Sequence, residues 1–202
     1  MGVCYIVGAG DFFGEIKPEP SDMIIAADGG YDALLSRGVT PDLVIGDMDS
    51  VECEISGVRM LRHPVKKDET DMHLAYLYGK QSGYREFYIY GGTGGRPDHT
   101  FANYSLLFLA KSAGDSITIV DEKYDIFAMQ NEEKRFFDKA GRTLSVFAFS
   151  EKASGVCISG TEYEAKKITL ANDFALGVSN KITDGCAAVS VECGRLLVML
   201  SR

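Results

Sequence analysis

The sequence predicts an α/β plus all-β protein: an N-terminal three-layer α/β domain with a mostly parallel sheet over residues 1–124, and a C-terminal β-sandwich over residues 125–202. Three observations predict it. Short apolar runs in the first part do not alternate with polar residues, as expected of strands buried on both faces of a parallel sheet. Helical patterns lie between those runs, and strand alternating with helix is the mark of α/β layering. Beyond Asp121 helical patterning stops, and short strand-like runs take over, punctuated by glycines at 141, 155, 160, 177, 185 and 194. Short strands at such spacing indicate a sandwich or barrel.

The expected strands of the first part are Val3–Val7, Met23–Ala27, Leu43–Ile45, Val58–Leu61, Phe87–Tyr90 and Ile117–Val120. Tyr31–Arg37 reads as a short helix ended by Gly38. Thr70–Gln81 opens on a Thr-Asp pair suited to capping and carries Leu74, Leu77 and Tyr78 on one face. Asp98–Ser112 starts behind Pro97 and is apolar nearly all round, which predicts a buried helix. In the second part the expected strands are Asp125–Met129, Arg142–Phe149, Val156–Ser159, Lys166–Leu170, Cys186–Glu192 and Leu196–Leu200. Each part is small, and a homodimer would supply further buried surface.

The chain has 202 residues, a formal charge of -8 and no run of Lys or Arg, which argues against a nucleic-acid partner. Five dispersed cysteines without a CxxC pair fit free thiols in a reducing, cytoplasmic setting. The first apolar run lacks a basic flank and is far too short for a signal peptide or a membrane span.

Aspartates stand at the ends of successive apolar runs: Asp28 before Gly29-Gly30, Asp47 and Asp49 before Ser50, then Asp68 and Asp71, and Asp98 beside His99. If the runs are strands of one sheet, these carboxylates converge on one crevice. Two carboxylates about 4 Å apart repel by roughly 4 kcal/mol at an effective dielectric near 20. Such a cluster needs a counter-charge, and Mg²⁺ is the usual one where the other partner is a polyphosphate. The Gly91-Gly92-Thr93-Gly94-Gly95 run follows a strand and precedes a helix, so its backbone N–H groups can approach phosphate oxygens closely. It is not a Walker A loop, which leaves Arg96 or Lys67 as the phosphate-binding cation. Val7-Gly8-Ala9-Gly10-Asp11 imitates a dinucleotide fingerprint, but the third glycine is displaced to Gly14, and Pro18 and Pro20 would break the helix that should follow.

These motifs, in this order, resemble the thiamin pyrophosphokinase family, which moves a pyrophosphoryl group from ATP to the hydroxyethyl arm of thiamin and releases AMP. The resemblance runs from Ala27-Asp28-Gly29-Gly30 through Asp98-His99 and continues more weakly to Gly160–Tyr163 and Gly177–Asn180. A Gly-Leu-Lys-aromatic-Pro-Leu pattern is typical there, where this chain has Gly160-Thr161-Glu162-Tyr163-Glu164-Ala165. It implies a nucleotide-binding α/β domain, a thiamin-binding sandwich, and a homodimer with active sites at the subunit interface. It implies Mg²⁺ on Asp47, Asp49 and Asp71. It also implies an ATP site of Asp28, Gly29, Gly30, Asp68, Gly91, Gly92, Thr93, Gly94 and Arg96. Lys67 and Arg96 would neutralise charge on the transferred group, and Asp71 or Asp98 would accept the hydroxyl proton. Thiamin would meet Ser50, Tyr163, Ser179 and Asn180, the ring of Tyr163 stacking on its cationic, flat heterocycles. Two other readings stay open on sequence alone: a non-catalytic module binding a nucleotide or thiamin diphosphate, and a Mg²⁺-dependent phosphohydrolase.

Overall fold

The computed structural model describes residues 2–47, 57–62 and 68–202. They separate into two compact units divided between Glu122 and Lys123. Among the described residues no helix is long and apolar enough to cross a membrane.

In the first unit the chain runs β1 (Cys4–Val7), β2 (Met23–Ala27), α1 (Gly30–Leu35), β3 (Leu43–Gly46), β4 (Arg59–Arg62), α2 (Asp71–Gln81), β5 (Glu86–Tyr90), α3 (Pro97–Ser112) and β6 (Ser116–Val120). Its strands all pair in parallel, in the order β6-β5-β1-β2-β3-β4. Successive strand residues point to opposite faces, and both faces are covered. On one, α1 packs Tyr31 and Leu34 with Val7, Ile24, Ala26 and Val44. On the other, Tyr76 of α2 meets Phe87 edge-on with ring centroids 5.1 Å apart. Gly79 sits so close to the sheet that a Cβ there would lie 2.8 Å from both Cys4 Sγ and Phe87 Cε1. Burial under α2, aided by the nearby charge of Asp42, pushes the Cys4 thiol up to about 12. Helices on both faces of a parallel sheet make the three layers that the unalternating runs predict.

Two features of this unit bear on the site. Thr70 caps α2 by accepting the His73 N–H at 3.2 Å, as the Thr-Asp pair predicts. The far end of α2 is anchored on Asp115, whose side chain is fully buried: the Tyr76 hydroxyl donates to it at 2.7 Å and Lys80 Nζ lies 2.8 Å away. Helix α3 departs from expectation. Leu106, Leu107 and Phe108 are buried, but Phe101 is 64% and Leu109 44% exposed. Positions 101, 105 and 109 recur every four residues and so share the helix side turned outward.

The second unit is a sandwich of two antiparallel sheets. One holds β7 (Tyr124–Gln130), β9 (Thr143–Ala148), β12 (Gly177–Lys181) and β14 (Arg195–Ser201), in the order β12-β9-β14-β7. The other holds β8 (Glu133–Phe137), β10 (Lys152–Ser159), β11 (Ala165–Ala171) and β13 (Cys186–Ser190), in the order β11-β10-β13-β8. Their inner faces share one core that includes Met129, Leu144, Val146, Val156, Val189 and Val198. Strands β8 and β12 carry no apolar run. Only Phe136 of Glu133–Phe137 and only Asn180 of Gly177–Lys181 are buried, so partners rather than hydrophobic pattern define them.

Candidate functional site

The strand order dictates where a ligand can sit. The chain leaves β1 toward β2 on one side and leaves β5 toward β6 on the other, so the loops after these two neighbours diverge. Such a switch point opens a crevice beyond the carboxyl ends of the strands. A cavity of about 240 Å³ lies there, with the Gly8–Gly10 segment after β1 on one wall and Gly91–Arg96 after β5 on another.

These two glycine segments interlock backbone to backbone. The N–H groups of Gly8, Gly10 and Asp11 donate to the carbonyls of Tyr90, Gly91 and Thr93 at 2.8, 3.0 and 3.0 Å. A Cβ on Gly10 would collide with the Thr93 carbonyl and lie 2.6 Å from that of Gly91. The remaining carbonyl, Gly92, accepts from Asn103 Nδ2 of α3 at 2.8 Å. Thr93 is buried, and its hydroxyl donates to Asp121 Oδ2 at 2.7 Å. Gly94 and Gly95 follow with φ of +80° and +60°, a region glycine enters without strain. Among the described residues, nothing accepts the N–H of Gly92, Thr93, Gly94 or Gly95.

Two acidic residues line the same cavity. Asp71 is the first residue of α2, where a carboxylate also suits the positive end of the helix. Asp28 ends β2 with φ of +49°, its N–H donating to Ile45 O at 2.8 Å and its carbonyl accepting from Tyr31 N–H. Aspartate tolerates that left-handed conformation better than most residues, at a cost of about 1 kcal/mol. The end of β3 abuts it: a Cβ on Gly46 would lie 3.1 Å from Asp28 Cβ. Asp47 follows directly, half-buried and outside the cavity wall.

Arg96 lines the cavity and is paired with an exposed neighbour. Its Nη2 lies 2.6 Å from Asp98 Oδ2, and its Nε donates to Oδ1 at 3.2 Å. That pairing, with the His99 N–H on the same carboxylate, brings Asp98 down to about 2. Asp98 is therefore ionised at neutral pH and weakly basic while Arg96 holds it.

Of the residues expected at the nucleotide, the metal or the transferred group, the cavity brings together Asp28, Asp71, Gly91, Gly92, Gly94 and Arg96. It leaves Asp68, Asp98 and the backbone-building Thr93 off its wall. Gly29 and Gly30 are also off the wall, and Gly30 opens α1 where any Cβ would run into the Val7 carbonyl. Asp49, Ser50 and Lys67 lie outside the described residues. Among those described, no group of three or more His, Cys, Asp or Glu is gathered as metal ligands. In the second unit Tyr163 is 70% exposed. Asn180 is buried with its amide committed: Oδ1 accepts from Tyr163 N–H at 3.0 Å and Lys181 N–H at 2.9 Å, and Nδ2 donates to Thr161 Oγ1 and Tyr163 O. Asn180 thus holds the turn that displays Tyr163. Ser179 is exposed, with φ of +58° and its N–H donating to Ser145 Oγ.

Sequence reasoning missed Gly8, Ala9, Gly10, Thr70, Met72, His99, Thr100 and Asn103 as cavity-lining residues. The signal for the first three was the Gly-Ala-Gly after β1. Its glycines serve to approach a second glycine loop, a role that a test against the dinucleotide spacing does not reveal.

A parallel sheet with ligand-lining glycine loops at its switch point, joined to an antiparallel sandwich, defines a two-part α/β and β protein with a crevice suited to a phosphate-bearing ligand. The catalytic domain of thiamin pyrophosphokinase, as a family, matches residues 18–119, and its vitamin B1 binding domain matches residues 123–198. Thiamine pyrophosphokinase of Bacillus subtilis (strain 168) is 26% identical over 184 residues, covering 88% of this chain and 86% of its own. The crystal structure of the Bacillus subtilis enzyme superimposes with a TM-score of 0.89 at 24% identity, covering 98% of each chain. That of thiamin pyrophosphokinase from Candida albicans superimposes with a TM-score of 0.76 at 15% identity, covering 99% of this chain and 88% of that one. The chain belongs to the thiamin pyrophosphokinase family.

Proposed function

We propose that this protein is a Mg²⁺-dependent thiamin pyrophosphokinase that acts as a cytoplasmic homodimer, using the crevice between β1 and β5 for ATP. One observation carries the site assignment: Gly92, Gly94 and Gly95, whose N–H groups lack acceptors among the described residues, line the same cavity as Asp28, Asp71 and Arg96. A polyphosphate is the ligand such a cradle suits, since each free N–H can take a phosphate oxygen.

The donor set fits a hard divalent cation. Asp28 and Asp47 follow neighbouring parallel strands, Asp71 begins α2, and all offer carboxylate oxygen. Asp47 and Asp71, with Asp49, would hold Mg²⁺, which when bound offsets the polyphosphate charge.

The chain's own residues do the rest. The Gly92, Gly94 and Gly95 N–H groups fix the phosphates, and Arg96 turns from Asp98 toward the group in transfer. The thiamin hydroxyl oxygen bonds to the β-phosphorus while the bond from that phosphorus to the oxygen bridging to the α-phosphorus breaks. AMP leaves with that oxygen, and Asp71 or Asp98 receives the hydroxyl proton. Positioning and electrostatics supply most of the acceleration in such a transfer. Tyr163, held by Asn180, stacks on thiamin, and Ser179 hydrogen-bonds it; these segments serve sites at the subunit interface.

The test is AMP formation from ATP with and without thiamin, before and after chelation. We expect AMP only with both thiamin and Mg²⁺ present. AMP or phosphate release without an acceptor would replace this reading with a phosphohydrolase, and an unaltered rate after chelation would remove the metal. Mixing a Tyr163→Ala chain with an Asp71→Asn chain should bring back the parent's KM for thiamin if sites are shared between subunits.

A further inference from the structure

Of the ionisable side chains on the described cavity wall, the imidazole of His99 is left without a task by the chemistry above. We propose that His99 is a phosphate-contacting catalytic residue, its ring N–H donating to the pyrophosphoryl group that leaves ATP. This deepens the ATP reading and rests on it.

One side of α3 is turned toward the glycine loop, and Asn103 gives its direction by holding the Gly92 carbonyl at 2.8 Å. His99 stands four residues earlier, one turn nearer the helix start and on the same side. Asn103 is buried, whereas His99 is exposed, so this side of the helix runs from the packed base of the loop to the open part of the crevice. There His99 shares the cavity wall with Gly94 and Gly95, whose N–H groups lack acceptors among the described residues.

The ring is not engaged elsewhere. The His99 backbone N–H goes to Asp98 Oδ1 at 3.0 Å, but among the described residues no hydrogen bond, ion pair or ring contact holds the imidazole. Arg96, by contrast, is tied to Asp98 by contacts of 2.6 and 3.2 Å, which offset its charge until it is released. An imidazole needs no such release, because it carries an N–H donor in both of its charge states. The pyrophosphoryl group bears most of the charge of ATP, and the cavity sets the carboxylates of Asp28 and Asp71 against it. A donor already in place when the ligand arrives offsets that repulsion without rearrangement.

The test compares the parent with H99A, H99Q and H99E. Glutamine keeps an N–H donor at a similar reach, whereas glutamate puts a negative acceptor in its place. Dissociation constants for MgATP, AMP and thiamin are measured by calorimetry, and folding by circular dichroism and thermal unfolding. We expect H99A to weaken MgATP binding by about tenfold, the factor associated with one hydrogen bond to a charged group, with AMP and thiamin binding unchanged. H99E should weaken MgATP further, and H99Q should recover most of the loss. Parent-like MgATP affinity in H99A overturns the contact, and H99Q as weak as H99A overturns the donor role. Equal weakening of AMP overturns the assignment to the pyrophosphoryl group, and equal weakening of thiamin overturns the proposal as general structural damage. Should H99A not fold, H99Q and H99E decide alone, and equal MgATP affinity in those two overturns the contact. If the parent itself binds no MgATP, the ATP reading falls and the His99 contact with it.

Discussion

The glycine loop of the first unit and the Tyr163 turn of the second are both surfaces assigned to ligand, and they are held in contrasting ways. In the glycine loop, order lies in the backbone. Four successive carbonyls are fixed by named donors, and the N–H groups of Gly92–Gly95 are left without acceptors among the described residues. In the Tyr163 turn the backbone is held largely by side chains, with the buried Asn180 amide on both the N–H and the carbonyl of Tyr163 and the Thr161 hydroxyl on the same carbonyl, while the ring stands 70% exposed. The difference suits the two ligands proposed for these regions. A polyanion is read by many dipoles whose directions must all be right before it arrives, whereas a flat cation is read by one aromatic face that can settle on contact.

The strongest way to break this comparison is on the acidic side of the first crevice. Asp71→Asn should reduce AMP formation by about a thousandfold while thermal unfolding stays unchanged, an effect of the size seen when one charge-stabilising group is removed. Near-normal turnover would show that the crevice does not perform the transfer. Next in size, Asn180→Ala leaves the Tyr163 N–H without its acceptor and the Tyr163 carbonyl with the Thr161 hydroxyl as its donor, and should destabilise the second unit by about 1–3 kcal/mol in denaturant unfolding. A loss within error would mean the turn orders itself. Tyr163→Ala should raise the KM for thiamin about tenfold, leaving unfolding and the MgATP dissociation constant alone. Equal changes for both substrates would erase the distinction between the two regions. The smallest effect is local. By NMR titration Asp98 should protonate near about 2 in the free protein, where the Arg96 pairing holds it. Because the pairing favours the charged carboxylate, it persists at neutral pH and is lost as pH falls through that value. Arg96→Gln should move the midpoint up toward the ordinary aspartate value of about 3.9.

What could be read in the sequence divides along similar lines. Parallel strands, the Thr70 cap and aspartates at strand ends were legible because burial and capping leave composition signals at fixed positions. Strands β8 and β12 were not, since Glu133–Phe137 and Gly177–Lys181 contribute one buried side chain each and owe their conformation to neighbours. At the site, the Gly91–Gly95 loop was legible from its glycines. Its support was not, because Asn103 reaches Gly92 across eleven residues through the turn into α3, a meeting that only the folded geometry creates. Asn180 was legible as a residue of interest but not in its task. An amide in a Ser-Asn pair gives no sign of whether it faces a ligand or its own backbone.

Helix α2 presents Asp71 at one end and is tethered to Asp115 at the other. An α-helix behaves as a rod with a rise of about 1.5 Å per residue. A slip of one residue at the tether would therefore draw the Asp71 carboxylate back by a distance comparable to a covalent bond. The placing of Asp71 on the cavity wall thus depends on an ion cluster around Asp115 at the other end of α2.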